Sequence, residues 1–448
     1  MKVPANIFKA YDIRGKVGTE LNPEVARIVG QAFGDWLPAS GPVAIGRDMR
    51  PDSKELAEAL IDGLRAHGRD IWDIGEVTSD MIYFAVGHNG LAGGAVVTAS
   101  HNPGEYNGIK FCREEAKPIG ESTGLLEIRD LALKNDFEPA GKMGSVTQKD
   151  TTEDWINHVL SFIDTDKLKP LNIAVDAGNG MAGKIFPDLE PYVPFQVHEL
   201  FFELDGTFPN HIANPLIAAN LADVQAAIKE HGCDAGVAFD GDGDRAVLID
   251  ENGEPLTGTV MTALLADYFL KKNPGSTILL NAICGRAAVE MIEKAGGKPV
   301  RTRVGHSFIK NDMRKYDALF AGEHSGHYYF RDNYMADSGL IAAVIGLYIL
   351  SASGKKLSQL VAPLREAYVQ IPETNFEVED KAGAIQKVAE AFKEADTDDL
   401  DGLTVNFDNA WFNIRPSNTE PLLRLNAEAK SQKELDDLVK KVKSLLDS

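Results

Sequence analysis

Cysteine is scarce in this chain: three in 448 residues, at Cys112, Cys233 and Cys284, without any CxxC pair. An odd, scattered set argues against a disulfide framework or a cysteine zinc site and fits a reducing cytoplasm. Basic residues are also in deficit. Lys and Arg number 46 against 67 Asp and Glu, a net charge of −21. That balance argues against nucleic acid or an anionic membrane as partner, because neutralising phosphates takes a basic face. Long apolar runs are missing too. The opening MKVPANIFKAYDIRG lacks the apolar segment of a signal peptide. The most lipid-like stretch, residues 340–350, is far shorter than the roughly 20 residues that span a bilayer. Ser338 ahead of it is a good N-cap and Gly354 behind it a good stop, so it predicts a buried helix.

What remains is ordinary globular composition, 44% hydrophobic and 25% charged. At roughly 150 residues per domain the length suggests about three domains, with two or four also open. Short β-rich runs alternate with amphipathic helical stretches. PVAIG at 42–46 precedes a helical pattern over 53–67, and 70–74 follows as the next strand. LNIAVD at 171–176, AGVAF at 235–239 and TILL at 277–280 predict buried strands of the same kind, so parallel or mixed sheets covered by helices are expected. Polar residues 134–154, the turn-rich ENGEPLTG at 251–258 and a change of pattern near 363–372 suggest boundaries. They give units over 1–150, 151–252, 253–367 and 368–448. The last, with strands near 376–378, 403–407 and 422–425 and a closing amphipathic helix, predicts a small α+β domain.

Four loops carry the chemistry. DGDGDR at 240–245 places Asp240, Asp242 and Asp244 at alternate positions with glycine between them, a hard oxygen-rich pocket suited to Mg²⁺ or Ca²⁺. Counted as an EF-hand, Asp242, Asp244 and Glu251 fall at positions 3, 5 and 12. Position 6, however, is Arg245 and not glycine, and the flanks predict strands. TASHNP at 98–103 puts Ser100 just past an apolar strand, where ligands of α/β sheets gather, although Asn-Pro alone also makes a turn. Without a GxSxG elbow, acyl transfer is poorly supported, and a serine that carries a phosphoryl group needs a metal more than a histidine base. RPSNTEP at 415–421, followed by Arg424, combines guanidinium, hydroxyl and amide groups into a cradle for a phosphate dianion, or else is a polar hairpin turn. GEHSGH at 322–327 offers carboxylate, hydroxyl and imidazole groups for sugar hydroxyls, or is only a polar loop. A fifth motif points elsewhere: GNGMAG at 178–183 after LNIAVD, with Glu199 about 20 residues on, is a literal dinucleotide fingerprint. An NAD-dependent oxidoreductase and a calcium-binding scaffold therefore stand as alternatives.

Taken together, the loops resemble the α-D-phosphohexomutases, in the phosphomannomutase/phosphoglucomutase group. YDIRG at 11–15, TASHNP, YNGIK at 106–110, DGDGDR, VGHSFIK at 304–310, GEHSGH and RPSNTEP occur in family order along the whole chain. The resemblance implies three α/β domains of similar topology with mixed sheets plus a smaller C-terminal α+β domain, heart-shaped around a central cleft. It implies a cytoplasmic, monomeric enzyme that interconverts hexose 1- and 6-phosphates of glucose or mannose. The route is a phosphoserine and a 1,6-bisphosphate, with Mg²⁺ as cofactor and glucose 1,6-bisphosphate as activator. By the same resemblance Ser100 carries the phosphoryl group and completes the metal site of Asp240, Asp242 and Asp244, with Arg245 beside it. Lys110 is the acid/base candidate and His306 lies near the sugar ring. Tyr11, Arg14 and His101 line the cleft, and Glu323, Ser325 and His327 belong to the sugar loop. Arg415, Ser417, Asn418, Thr419 and Arg424 anchor the non-reacting phosphate. Phosphoglucosamine mutases, with SASHNP and GEQSGH in the corresponding loops, are the rival within the class. One departure stands out: related enzymes often carry lysine where this chain has Ile283, and Arg286 is the nearby cation. Because a net charge of −21 repels a dianionic substrate, the cleft is expected to be locally positive through Arg14, Lys110, Arg245, Arg415 and Arg424.

Overall fold

The structure is a computed structural model that describes residues 2–138, 140–416 and 422–446. It divides into two compact units, Met1–Leu256 with Ser325–Ser358, and Thr257–His324 with Gln359–Ser448.

The first unit holds two sheets. In the larger, Val43–Arg47 lies parallel between Ile71–Glu76 and Gly93–Val97. Tyr106–Arg113 is antiparallel to Gly93–Val97 and to Ile13–Lys16, and Val146–Gln148 extends the far edge. Gly93–Val97 is buried along its whole length, as expected of a central strand covered on both faces. The helices Pro23–Trp36 and Ser53–Ala66 feed one core with it. The first of them starts where Pro23 occupies the opening turn and the Asn22 side chain accepts from the Val25 N–H at 3.1 Å.

The second sheet runs Ala246–Asp250, Ala235–Phe239, Leu171–Asp176, Phe195–Leu200. Two of these strands cover the residues expected from their apolar runs. Ala235–Phe239 and Ala246–Asp250 are antiparallel neighbours, so DGDGDR is the connection of a hairpin and not the loop between two helices. The same unit contains the helix Gly339–Ser353, capped by the Ser338 hydroxyl accepting from Ile341 N–H at 3.1 Å and ended by Gly354 in the left-handed region. Among the described residues no single helix is long and apolar enough to cross a membrane.

In the second unit Thr277–Asn281 is parallel to both Lys298–Thr302 and Phe320–Gly322. A six-stranded antiparallel sheet follows, centred on Leu422–Ala429 and Ala410–Pro416. Helices Lys381–Ala391 and Gln432–Leu446 share its core through Val388, Phe412, Leu425, Leu435 and Val442. The class is therefore α/β with mixed sheets and an α+β tail. Leu422–Ala429 runs four residues beyond the strand expected there. Glu428 disguises it: this residue looks like surface but is buried, accepting from the Trp411 indole at 2.9 Å and from the Arg286 backbone at 2.9 Å.

Candidate active site

Ser100 sits just past the strand Gly93–Val97, buried, with φ of +50°. A non-glycine residue there is strained, and strain persists only where the surroundings fix it. Arg50 fixes it here. Its Nη2 donates to the Ser100 carbonyl at 2.8 Å and to that of Asn102 at 2.6 Å, while Nη1 donates to the carbonyls of Pro103 (3.0 Å) and Tyr106 (2.9 Å). Asp48 holds Arg50 from behind at 3.2 Å. Arg14, on Ile13–Lys16, donates to the carbonyl of Ala99 at 2.5 Å and to Asn102 Oδ1 at 2.6 Å. Tyr11 lies half-buried just before that strand.

The acidic hairpin packs against this loop backbone to backbone. A Cβ on Gly241 would come within 2.5 Å of the Ser100 carbonyl, so only glycine lets the two loops meet. As a result Ser100 Oγ donates to Asp240 Oδ2 at 2.8 Å. Arg245 Nε donates to the same oxygen at 3.0 Å, and its Nη2 reaches Ser100 Oγ at 3.3 Å. His101 Nδ1 is 3.1 Å from Ser100 Oγ and in contact with Arg245. Burial, reinforced by Arg245 and Arg14, pushes the His101 imidazole well below its usual range, so it is neutral.

Lys110, on Tyr106–Arg113, donates to Asp242 Oδ2 and Asp244 Oδ2, each at 2.6 Å. Burial works against its charge, but the two carboxylates outweigh it and hold the ammonium charged. Against burial and each other, that ammonium keeps Asp242 below the usual carboxylate range. With His327, whose Nε2 is 3.5 Å away, it keeps Asp244 well below it. Asp240 goes the other way, pushed up to about 7 by burial and the Asp244 charge. The three aspartates offer oxygens within 4.8 Å of one another. Asp242 Oδ1 is buried with no hydrogen-bond partner among the described residues, and Asp244 Oδ1 has only the longer contacts to His327 Nε2 at 3.5 Å and Arg245 Nε at 3.9 Å. Buried carboxylate oxygens left over in this way fit a hard divalent cation such as Mg²⁺.

The remaining expected residues divide between the units. Ser325 and His327 belong to the first, 3.2 Å apart. In the second, Glu323 is buried and accepts from Asn281 Nδ2 at 3.2 Å, and His306 opens the helix His306–Tyr316. Arg415 and Arg424 share one partner, Glu373, at 3.1 Å each. Ser417, Asn418 and Thr419 lie outside the described residues. The Arg286 guanidinium is engaged by the Asp408 carbonyl at 3.1 Å and Asn406 at 3.4 Å. Ile283 is buried.

The cations expected to carry a locally positive field all have acidic partners. Each of its five cations is matched: Arg14 by Asp12, Lys110 by Asp242 and Asp244, Arg245 by Asp240, and Arg415 and Arg424 by Glu373. Sequence reasoning also missed residues that build the site. Arg50 stood in GRDMRP at a strand end, a charged cluster that was a usable signal. Ser79, whose hydroxyl donates to Asp242 Oδ2 at 2.5 Å, lies 163 residues away and gave none.

The competing motifs find structural uses. Within GNGMAG, Gly180 lets the turn approach Gly241, whose carbonyl would be 2.7 Å from an added Cβ and accepts from Met181 N–H at 2.9 Å. The fingerprint thus packs on the acidic hairpin. Glu251, the twelfth position of the EF-hand count, accepts from the Ser358 hydroxyl at 2.5 Å.

Comparison with known proteins bears on the whole chain. Residues 5–139, 153–253, 257–368 and 373–445 match, in order, α/β/α domains I, II and III and the C-terminal domain of phosphoglucomutase/phosphomannomutase. The chain is 43% identical over 435 residues, 96% of each chain, to a protein of Xanthomonas campestris named for phosphohexose mutases. To a phosphomannomutase of Escherichia coli K12 it is 40% identical over 432 residues, 94% of each. It also superposes on the crystal structure of a phosphoglucomutase/phosphomannomutase family protein from Burkholderia thailandensis, with a TM-score of 0.91 at 34% identity, covering 99% and 97% of the two chains.

Proposed function

The chain belongs to the phosphoglucomutase/phosphomannomutase family, and on that premise we propose that Ser100 is the phosphoryl carrier of a hexose phosphate mutase. The observation that supports this most is the serine hydroxyl itself, 2.8 Å from Asp240 and 3.3 Å from the Arg245 guanidinium, at the edge of three buried carboxylates. Phosphorylated Ser100 gives its phosphoryl group to the free hydroxyl of a hexose 1- or 6-phosphate. The serine P–O bond breaks as the sugar P–O bond forms, and the proton of the sugar hydroxyl ends on the freed serine oxygen. The 1,6-bisphosphate then turns, and its other phosphate returns to the serine. Lys110, held as an ammonium, relays the exchanged proton, Arg245 meets the charge of the transferring group, and Arg415 with Ser417, Asn418 and Thr419 holds the phosphate that does not react. When bound, Mg²⁺ on Asp240, Asp242, Asp244 and a serine oxygen supplies charge neutralisation. His306, Tyr11 and His101 line the substrate's path. Three buried free thiols are in keeping with a cytoplasmic enzyme.

Glu323 and Ser325 are assigned to neighbouring hydroxyls that glucose and mannose share, so the enzyme acts on both sugars, with glucosamine 1-phosphate the poorer substrate. The test combines two readings on one preparation. Incubation with glucose 1,6-bisphosphate should add one phosphoryl group to the wild type by intact mass and none to Ser100→Ala. Coupled assays with Mg²⁺ should show turnover of glucose and mannose 1-phosphates that Ser100→Ala lowers by several orders of magnitude. Near-normal turnover in the alanine variant would remove the carrier role. A preference beyond about a thousandfold between the two sugars would place the decision at carbon 2, outside these loops.

A further inference from the structure

Arg415 and Arg424 stand directly opposite each other on the antiparallel strands Ala410–Pro416 and Leu422–Ala429. Like charges in that relation repel. Asn426, two residues along, lies on the same face as Arg424. Thr374 pairs with Leu425 on the adjoining strand, which brings Glu373, one residue earlier, to these side chains. One oxygen of Glu373 accepts from Arg424 Nη1 at 3.1 Å, and the other from Arg415 Nη2 and Asn426 Nδ2, each at 3.1 Å. His324 Nε2 is 3.8 Å from that second oxygen. One carboxylate therefore sits between two guanidiniums and an amide in the manner of a bound phosphate. Its hold is incomplete. Arg415 is buried, only its Nη2 is used by Glu373, and its Nε has no hydrogen-bond partner among the described residues.

We propose that Glu373 is a resident counter-anion of the phosphate cradle, which keeps the paired arginines together when no phosphate is bound and competes with phosphate for them. The inference rests on the mutase reading above. In that reaction the bisphosphate must leave the cradle and re-dock turned around within every cycle. A cradle of two uncompensated arginines would bind the first phosphate too firmly to exchange it. A competing carboxylate weakens the grip on the intermediate and takes the arginines back as the phosphate leaves.

The experiment is calorimetric titration with inorganic phosphate, beside steady-state kinetics. Glu373→Gln keeps the shape and one acceptor oxygen but removes the charge. It should bind phosphate about tenfold more tightly, the scale of one lost competing charge-assisted hydrogen bond, and should lower KM and kcat together. Phosphate affinity that is unchanged or weaker in this variant overturns the proposal and leaves Glu373 as a group that only aligns the arginines. If Glu373→Gln does not fold, Glu373→Asp, which withdraws the charge by one methylene, must still tighten phosphate; unchanged or weaker binding there overturns the proposal equally. Arg415→Gln separates the two levels of argument. Loss of phosphate binding in it, with no tightening in the Glu373 variants, defeats the counter-anion and spares the cradle. Unaltered binding in it defeats the cradle itself.

Discussion

Lys110 stands among carboxylates whose arrangement fits a cation. Its ammonium is 2.6 Å from an oxygen of each of Asp242 and Asp244, and all three residues are buried. Three carboxylates gathered without a counter-charge would protonate or push the loops apart. The lysine prevents this through the Oδ2 oxygens, and a divalent ion taken up by the Oδ1 oxygens would share the same two carboxylates with it. Lys110→Met, which keeps most of the apolar stem, should therefore lower the melting temperature of the metal-free protein. It should also tighten Mn²⁺, read by equilibrium electron spin resonance titration, by at least about tenfold. That is modest against the roughly 4 kcal/mol of two unit charges 4 Å apart at an effective dielectric of 20. An unaltered Mn²⁺ affinity would mean that the lysine and the metal do not compete for these carboxylates. Sequence made the acids themselves legible because all three lie within five residues of one another. It could not show their neutralisation, because Lys110 is 132 and 134 residues away from its two partners. Glu373 was hidden for the same reason, standing alone in PET with no motif around it.

At the scale of single elements, helix ends carry information that runs beyond the helix. Ser338 was legible as a cap from its place before an apolar run and does cap Gly339–Ser353. Its hydroxyl, however, also donates to Asp80 Oδ2 at 2.5 Å, and Thr78 donates to the other oxygen. Asp80 lies in the first turn of Ser79–Asn89, and Ser79 in turn holds Asp242. A buried carboxyl thus ties two helix starts together beside the acidic hairpin. Burial pushes Asp80 up to about 7, against the two hydroxyls. The folded chain therefore keeps a proton that the unfolded chain releases near pH 4. This contribution to stability is full below about pH 4 and is lost as pH rises towards 7. Asp80→Asn, which stays neutral in both states, should remove that loss. The unfolding free energy of the variant relative to wild type, from urea titrations, should rise between pH 4 and 7. A difference that stays flat with pH would show that Asp80 is ionised in the folded protein. Strands such as Leu171–Asp176 were legible because a buried parallel strand is apolar at consecutive positions. Leu422–Ala429 was cut short because Arg424, Asn426 and Glu428 satisfy their polarity inside the fold.

For the whole molecule, the division of labour between the two units leads to a separable response to ligands. Ser100, Lys110, Arg245 and the three aspartates all belong to the larger unit, whereas Glu373, Arg415 and Arg424 belong to the smaller. A chain of several domains need not unfold in one step. A ligand that binds only native protein stabilises the part that binds it, by about 2.7 kcal/mol at a hundred times its dissociation constant. For domains of roughly 150–250 residues each kcal/mol moves a melting temperature by about 2–4 °C. Scanning calorimetry should therefore resolve at least two components in the endotherm. Mg²⁺ should raise one by several degrees and inorganic phosphate the other. Arg415→Gln should abolish the phosphate shift and leave the Mg²⁺ shift intact, while Asp242→Asn should do the reverse. A single transition that both ligands move together would mean that the units unfold cooperatively. Separate components that respond to the wrong ligand would be more damaging. They would show that the aspartates and the arginines have been given each other's tasks.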